Sequence, residues 1–143
     1  MKKQYIKLFL RAAIAIGFLS AVGDRFGIWS TEVSAWGNWN SFVAYTKVIN
    51  SWAPDVLIDP LAILATAAEV LFALCLLLGF KTELFARLSG FLLLSFAMAM
   101  FLSVGIKPVL DYSVLTTAAA AFGLSLMQEK HLEIDGVLKG EYL

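Results

Sequence analysis

Residues 60–80 read PLAILATAAEVLFALCLLLGF, and this stretch decides the fold class. A membrane-spanning helix needs about 20 mostly apolar residues, and this run contains one charged side chain, Glu69. The proline at its start suits a first helical position. The whole chain agrees with this reading, because 60% of its 143 residues are hydrophobic and 15% are charged, whereas soluble domains have about 45–50% and about 25%. The sequence therefore predicts an integral membrane protein.

Three further apolar stretches have similar lengths, so we predict an all-α fold, a single domain built as a four-transmembrane-helix bundle. Two of the connections are very short, and the helices that they join are expected to be antiparallel neighbours. A polar tail follows the last span, and none of its residues forms a motif that indicates a function. The predicted spans are about 5–27, 60–80, 84–105 and 109–127, with a cytoplasmic tail at 128–143.

Basic residues predict the orientation of the bundle. With the N-terminus inside, eight of the 11 lysines and arginines lie on the cytoplasmic side and three lie outside, as the positive-inside rule requires. Both termini are then cytoplasmic, in a bacterial cytoplasmic (inner) membrane. The first apolar run is interpreted as a retained span and not as a signal peptide, because Lys7 and Arg11 interrupt it and no small-residue cleavage site ends it. Arg11 is expected to reach the inner headgroups along its apolar stem.

The long connection from Asp24 to Asp59 is rich in aromatic residues and contains all four tryptophans. From Asn40 or Ser41, either of which suits an N-cap, a helix is predicted to run to Ala53 and to stop before Pro54. Its aromatic and aliphatic residues recur at nearly helical spacing. We therefore predict a short interfacial helix with tryptophans at headgroup depth; the alternative is a soluble cap that packs only on the helix ends.

Charged residues within spans are costly and usually face the bundle interior. Glu69 lies about nine residues into its helix, roughly 14 Å deep at 1.5 Å per residue, on a face of small residues that favours close helix packing. Helical side chains lean toward the N-terminus of their helix, which makes Arg25 the expected cation partner. A candidate ligand-binding, partly polar cavity that opens outward is therefore predicted to be lined by Asp24, Arg25, Glu69, Asp111 and Tyr112. A carboxylate near a helix N-terminus explains Asp111 equally well.

Several function classes are disfavoured by composition. The net charge is zero, which argues against nucleic acid as a partner because phosphate binding needs a basic face. The single cysteine, Cys75, cannot form an internal disulfide or a redox pair. The single histidine, His131, lies in the polar tail, outside the predicted bundle, so bis-histidine haem ligation and an ordinary zinc site are not expected. No metal site and no intrinsic cofactor are predicted.

Four groups of residues carry a resemblance to a known family of membrane proteins. The strongest marker is Glu69 about ten residues before the helix exit at Gly79-Phe80-Lys81-Thr82. The resemblance covers roughly residues 5 to 127. Its other markers are Gly23-Asp24-Arg25-Phe26-Gly27, Gly37-Asn38-Trp39, and Gly105-Ile106-Lys107 followed by Leu110-Asp111-Tyr112-Ser113. With these residues the chain resembles the DoxX family of small four-helix membrane proteins.

The resemblance implies a membrane-bound redox role, since the family is similar to the membrane subunit of thiosulfate:quinone oxidoreductase. It implies an accessory or quinone-interacting subunit, in which Glu69 and Arg25 bind a quinone head and a membrane or soluble redox partner supplies electrons. Two alternatives stay open. One is a carrier or binding protein for a small apolar or weakly acidic molecule, with Glu69 as a proton-linked gate. The other is a structural membrane subunit, and a homo-oligomer is compatible with all three.

Overall fold

The computed structural model describes residues 2–138, and every regular element in this part of the chain is an α-helix. Three helices are long, and four are short. In chain order they are α1 (Lys3–Arg25), α2 (Trp39–Ile49), α3 (Asp55–Leu78), α4 (Thr82–Val104), α5 (Ile106–Asp111), α6 (Val114–Ser125) and α7 (Ile134–Leu138).

Helices α1, α3 and α4 are each long and apolar enough to cross a membrane, by length and composition. Their outward faces are strongly apolar, as Phe9, Leu64 and Leu102 illustrate, each with about two thirds of its surface exposed. Contiguous exposed apolar surface on this scale is unusual for a soluble protein. The fold is therefore that of a helical membrane protein with three candidate spans.

The helices pack in pairs around a core of small and aliphatic side chains. Helix α1 packs mainly on α3, and α4 packs mainly on α6. Ala15, Ala73, Ala86 and Ala121 are fully buried in this core and allow the helix backbones to approach closely. We call the end that carries residues 26–54 the loop end, and the end that carries residues 126–138 the tail end.

The first residues of α3 differ from the prediction that this helix begins at Pro60. Helix α3 starts at Asp55, directly after Pro54, and Pro60 lies inside it. Pro60 is exposed and lies in the second helical turn, where it has no N–H to donate to the carbonyl one turn earlier. The helix ends as predicted near Phe80, where Gly79 takes a left-handed conformation and the Phe80 N–H donates to the Cys75 carbonyl.

The predicted fourth span, 109–127, is not one helix. Helix α5 ends at Asp111, and α6 begins at Val114 after Ser113, which has a φ of +56°. Left-handed backbone cannot continue an α-helix, so the chain turns there. The 12 residues of α6 extend about 18 Å at 1.5 Å per residue, well short of the roughly 30 Å of hydrocarbon that a straight span must cross.

A short helix is present in the long connection, as predicted, but its bounds differ. It begins at Trp39 and not after Asn40, because the Asn38 side chain accepts a hydrogen bond from the Ser41 N–H at 2.9 Å and acts as the N-cap. It ends at Ile49, before the predicted stop at Ala53. Phe42, Thr46 and Ile49 form its buried face, and this face packs on the bundle.

The tail end shows that the expected position of Arg11 is wrong. Arg11 and Lys7 are each 1% exposed and do not reach outward. The Arg11 guanidinium donates to the Leu76 and Leu77 carbonyls that end α3, at 2.8 and 2.9 Å, and to the carbonyls of His131 and Leu132. The last carbonyls of a helix lack full intrahelical pairing, and Arg11 joins this end of α3 to the returning tail.

Glu133 holds the tail in place beneath this arginine. Its carboxylate lies 2.8 Å from Lys7 Nζ and 3.8 Å from Arg11 Nη1, and it is buried. Gly79 makes room for it, because a Cβ at that position would lie 2.6 Å from both Glu133 Cα and Arg11 Nη2. The polar tail is therefore a packed part of the fold.

Candidate functional site

A buried ion pair between Arg25 and Glu69 lies toward the loop end of the bundle. Arg25 is the last residue of α1, and Glu69 faces it from α3. Both residues are 3% exposed. The lean of side chains toward the N-terminus of each antiparallel helix predicts this pairing, and Arg25 Nη1 contacts Glu69 Oε2.

Thr66 ties the ion pair to the backbone of α3. It precedes Glu69 by one turn, so both side chains lie on the same helix face. Its hydroxyl accepts a hydrogen bond from Arg25 Nη1 at 2.6 Å and donates to the Ala62 carbonyl at 2.8 Å. The guanidinium is thereby fixed against two polar groups of α3.

Aromatic rings cover the other face of the guanidinium. Arg25 Cζ lies 3.8 Å from the centre of the Phe42 ring and 5.5 Å from that of Trp36. These distances are typical of cation–π contacts, which gain strength when they are desolvated. The two rings also contact each other, with centroids 5.1 Å apart. We call Trp36 and Phe42 the aromatic cover.

One hydrogen-bond donor of the pair remains unsatisfied. Arg25 Nε is buried and has no hydrogen-bond partner among residues 2–138. An unpartnered N–H in a low-dielectric interior costs about 1–3 kcal/mol. Such a donor favours the approach of an additional acceptor, for which a carbonyl oxygen has suitable chemistry.

Asp24 is next to Arg25 in sequence, but it hydrogen-bonds to the loop between α1 and α2 and not to the ion pair. Its carboxylate accepts a hydrogen bond from the Ser34 hydroxyl and from the N–H groups of Ala35 and Trp36, at 3.0 and 2.8 Å. These bonds fix the turn that carries Trp36 over Arg25. Asp24 therefore positions the aromatic cover, and its oxygens are engaged with the loop.

Asp111 and Tyr112 do not join the buried cluster. Asp111 pairs with Lys107 one turn earlier, and its side chain is 55% exposed; Tyr112 is 71% exposed. The end of α5 at Asp111 and the turn after it explain this placement.

Burial, together with the nearby Tyr112, raises the pKa of Tyr45. The Tyr45 phenol therefore stays protonated beside Trp36, whose ring centre is 5.8 Å away.

Sequence reasoning identified the ion pair but not its surroundings. Thr66 belongs to the small-residue face on which the sequence places Glu69, but its hydrogen bond to Arg25 was not predicted. Trp36 and Phe42 could not be placed, because their position depends on the turn held by Asp24. The predicted outward-opening cavity is replaced, around Glu69, by a closed cluster.

The fold and the buried pair define a class: an all-helical protein with three candidate membrane spans and a charged pair between two of them. Comparison with protein-family models, with curated proteins and with solved structures finds no match for this chain.

Proposed function

We propose that this chain is a DoxX-like, four-pass protein of the bacterial cytoplasmic membrane that acts as an accessory, quinone-interacting subunit of a membrane oxidoreductase. A quinone carbonyl would accept a hydrogen bond from Arg25, with Glu69 holding the guanidinium in place. The quinone ring would lie against the aromatic cover. Electrons would come from a partner protein, since quinone chemistry needs a donor.

The observation that carries this proposal is the unpartnered Arg25 Nε beside the aromatic cover. A quinone head combines a carbonyl acceptor with a flat ring, and an isoprenoid tail matches the exposed apolar faces of the helices. Since the rings of Phe42 and Trp36 already lie on the guanidinium, the ligand must displace part of the cover to reach Nε.

Lipid extraction of the purified protein tests the proposal. Protein isolated in mild detergent should retain quinone, and Glu69→Gln should lose most of it, because an amide holds the guanidinium less firmly than a carboxylate does. Glu32→Gln is the matched control, because Glu32 is exposed in the loop, and it should retain quinone as the unchanged protein does. Equal quinone in the two variants would place the bound quinone elsewhere.

Loss of subunit assembly without any retained quinone would favour the structural alternative, in which the ion pair only joins α1 to α3. Proton-coupled flux of a small molecule in liposomes, abolished by Glu69→Gln, would favour the carrier alternative. Retained quinone, loss of assembly alone and proton-coupled flux are three different results, so these experiments separate the three functions.

Cysteine labelling tests the four-pass topology. In a Cys75→Ala background, an impermeant maleimide should label Asn40→Cys from outside and should leave Lys2→Cys and Gln128→Cys unlabelled. All three positions are exposed in the structure. Labelling of Gln128→Cys together with Asn40→Cys would contradict both the four-pass topology and the packing of Glu129 against Lys7 near the start of α1.

A further inference from the structure

A cleft of about 320 Å³ lies at the tail end, where α4 begins. It is separate from the Arg25 site, and its lining includes Thr82, Leu84 and Arg87 from the first turns of α4. Lys81 and, from the tail, Lys130 complete its basic part. Nothing in the proposed quinone role uses these residues.

The N-terminus of α4 supplies a site for negative charge. Its N-cap residue, Lys81, has a left-handed backbone with φ +43°, and no side chain in the described part of the chain caps the helix. The first-turn N–H groups of a helix lack internal partners, and together with the helix dipole they favour anions such as phosphate.

Thr82 provides a second, independent indication of a ligand. It lines the cleft, it is 1% exposed, and its hydroxyl has no hydrogen-bond partner within residues 2–138. Buried hydroxyl groups are nearly always hydrogen-bonded. An acceptor bound in the cleft would provide the hydrogen-bond partner that the Thr82 hydroxyl lacks.

The charged residues that line the cleft have a net charge of +1, which favours an anion. Three cations line it, and two acids, Glu83 and Asp135, oppose them. Lys130 lies 3.7 Å from Glu83 and 3.6 Å from Glu133 and is shared by these two acids. Lys81 and Arg87 are the cleft cations that remain for an anion. Arg87 makes no ion pair with any described residue, which leaves its guanidinium able to bind a phosphate oxygen in the planar geometry that arginine favours.

An apolar track leads away from the cleft along α4. Leu84 lines the cleft, and Leu88 and Phe91 follow it at intervals of four and three residues, all exposed. Residues with this spacing lie on one helix face. A free phosphate would not use this track, whereas an acyl chain would.

We propose that this cleft binds the phosphate of an anionic phospholipid, with the phosphate at the N-terminus of α4 against Thr82 and Arg87. One acyl chain then follows Leu84, Leu88 and Phe91. The phosphate accepts hydrogen bonds from the Thr82 hydroxyl and from the uncapped N–H groups of α4. The bound lipid thereby anchors the start of α4 at the headgroup layer.

Thermal melting of the whole protein in a neutral detergent tests this site. Dioctanoyl phosphatidylglycerol should raise the melting temperature in a concentration-dependent way, whereas dioctanoylglycerol, which has the same chains and no phosphate, should not. Thr82→Val and Arg87→Gln should each weaken the apparent affinity about tenfold, because each removes a hydrogen bond to a charged group. Comparison of each variant with and without lipid separates binding from any change in its basal stability.

Lys47→Gln is the matched control, because Lys47 is an exposed cation at the loop end, and it should respond to the lipid as the unchanged protein does. Equal stabilisation by the two lipids, or an unchanged lipid response in both cleft variants, overturns the proposal. Stabilisation by inorganic phosphate that equals that of the phospholipid overturns the lipid assignment and leaves a site for free phosphate.

Discussion

Arg11→Met is expected to lower the free energy of unfolding by about 3–5 kcal/mol, the range for removing one partner from a buried ion pair. Methionine keeps most of the apolar volume but has no donor. The carbonyls of Leu76, Leu77, His131 and Leu132 would lose hydrogen bonds at once. Glu133 would keep Lys7 at 2.8 Å as its close cation. Reversible unfolding in detergent, followed by circular dichroism, measures the change.

The matched control for this variant is Lys3→Met on the same helix. The Lys3 side chain is 80% exposed and lies 3.8 Å from Glu129, and exposed pairs of this kind contribute at most about 1 kcal/mol. If Arg11→Met and Lys3→Met cost the same, the tail does not pack against Arg11 as the structure shows.

Glu69→Ala is the second change with a large expected effect, again about 3–5 kcal/mol, because it leaves the Arg25 guanidinium uncompensated inside the bundle. Thr66 remains as a hydrogen-bond acceptor, and the aromatic cover remains in place, so part of the stabilisation of Arg25 survives. Glu32→Ala removes an exposed carboxylate and should cost less than about 0.5 kcal/mol. Thermal melting in detergent at fixed lipid content compares the two.

The parts of the fold that sequence predicted are those governed by hydrophobic length. Three long apolar runs give α1, α3 and α4, and their bounds differ from the predicted ones by a few residues, mainly because Pro60 is tolerated in the second turn of α3. The break after Asp111 was not predicted, since a composition argument does not detect the positive φ of Ser113.

Burial of charge was predicted at one end of the bundle and missed at the other. Glu69 was conspicuous because it lies in the middle of an apolar helix, and the lean of helical side chains then selected Arg25. Lys7 and Arg11 lie near a chain end, where long basic side chains usually reach the headgroups. Their burial depends on Glu133, whose return to α1 is a tertiary contact with no local sequence signal.

The aromatic cover shows the same limit at the loop end. The helical spacing of Phe42 was visible in the sequence, but which face would be buried was not, because that depends on what it packs against. Asp24 was predicted to line a cavity, and it instead holds the turn that brings Trp36 onto Arg25. Short polar side chains that hydrogen-bond to loop N–H groups often have this role.

The coupling between Glu69 and Arg25 is the central claim, since both the joining of α1 to α3 and the proposed quinone site depend on it. A double-mutant cycle with Glu69→Ala, Arg25→Ala and the double variant measures this coupling directly. We predict that the double variant loses less stability than the sum of the two single losses. The expected difference is about 1–3 kcal/mol, in the upper part of the range of about 0.5–3 kcal/mol for residues in direct contact. Losses that add within about 0.5 kcal/mol would contradict the account.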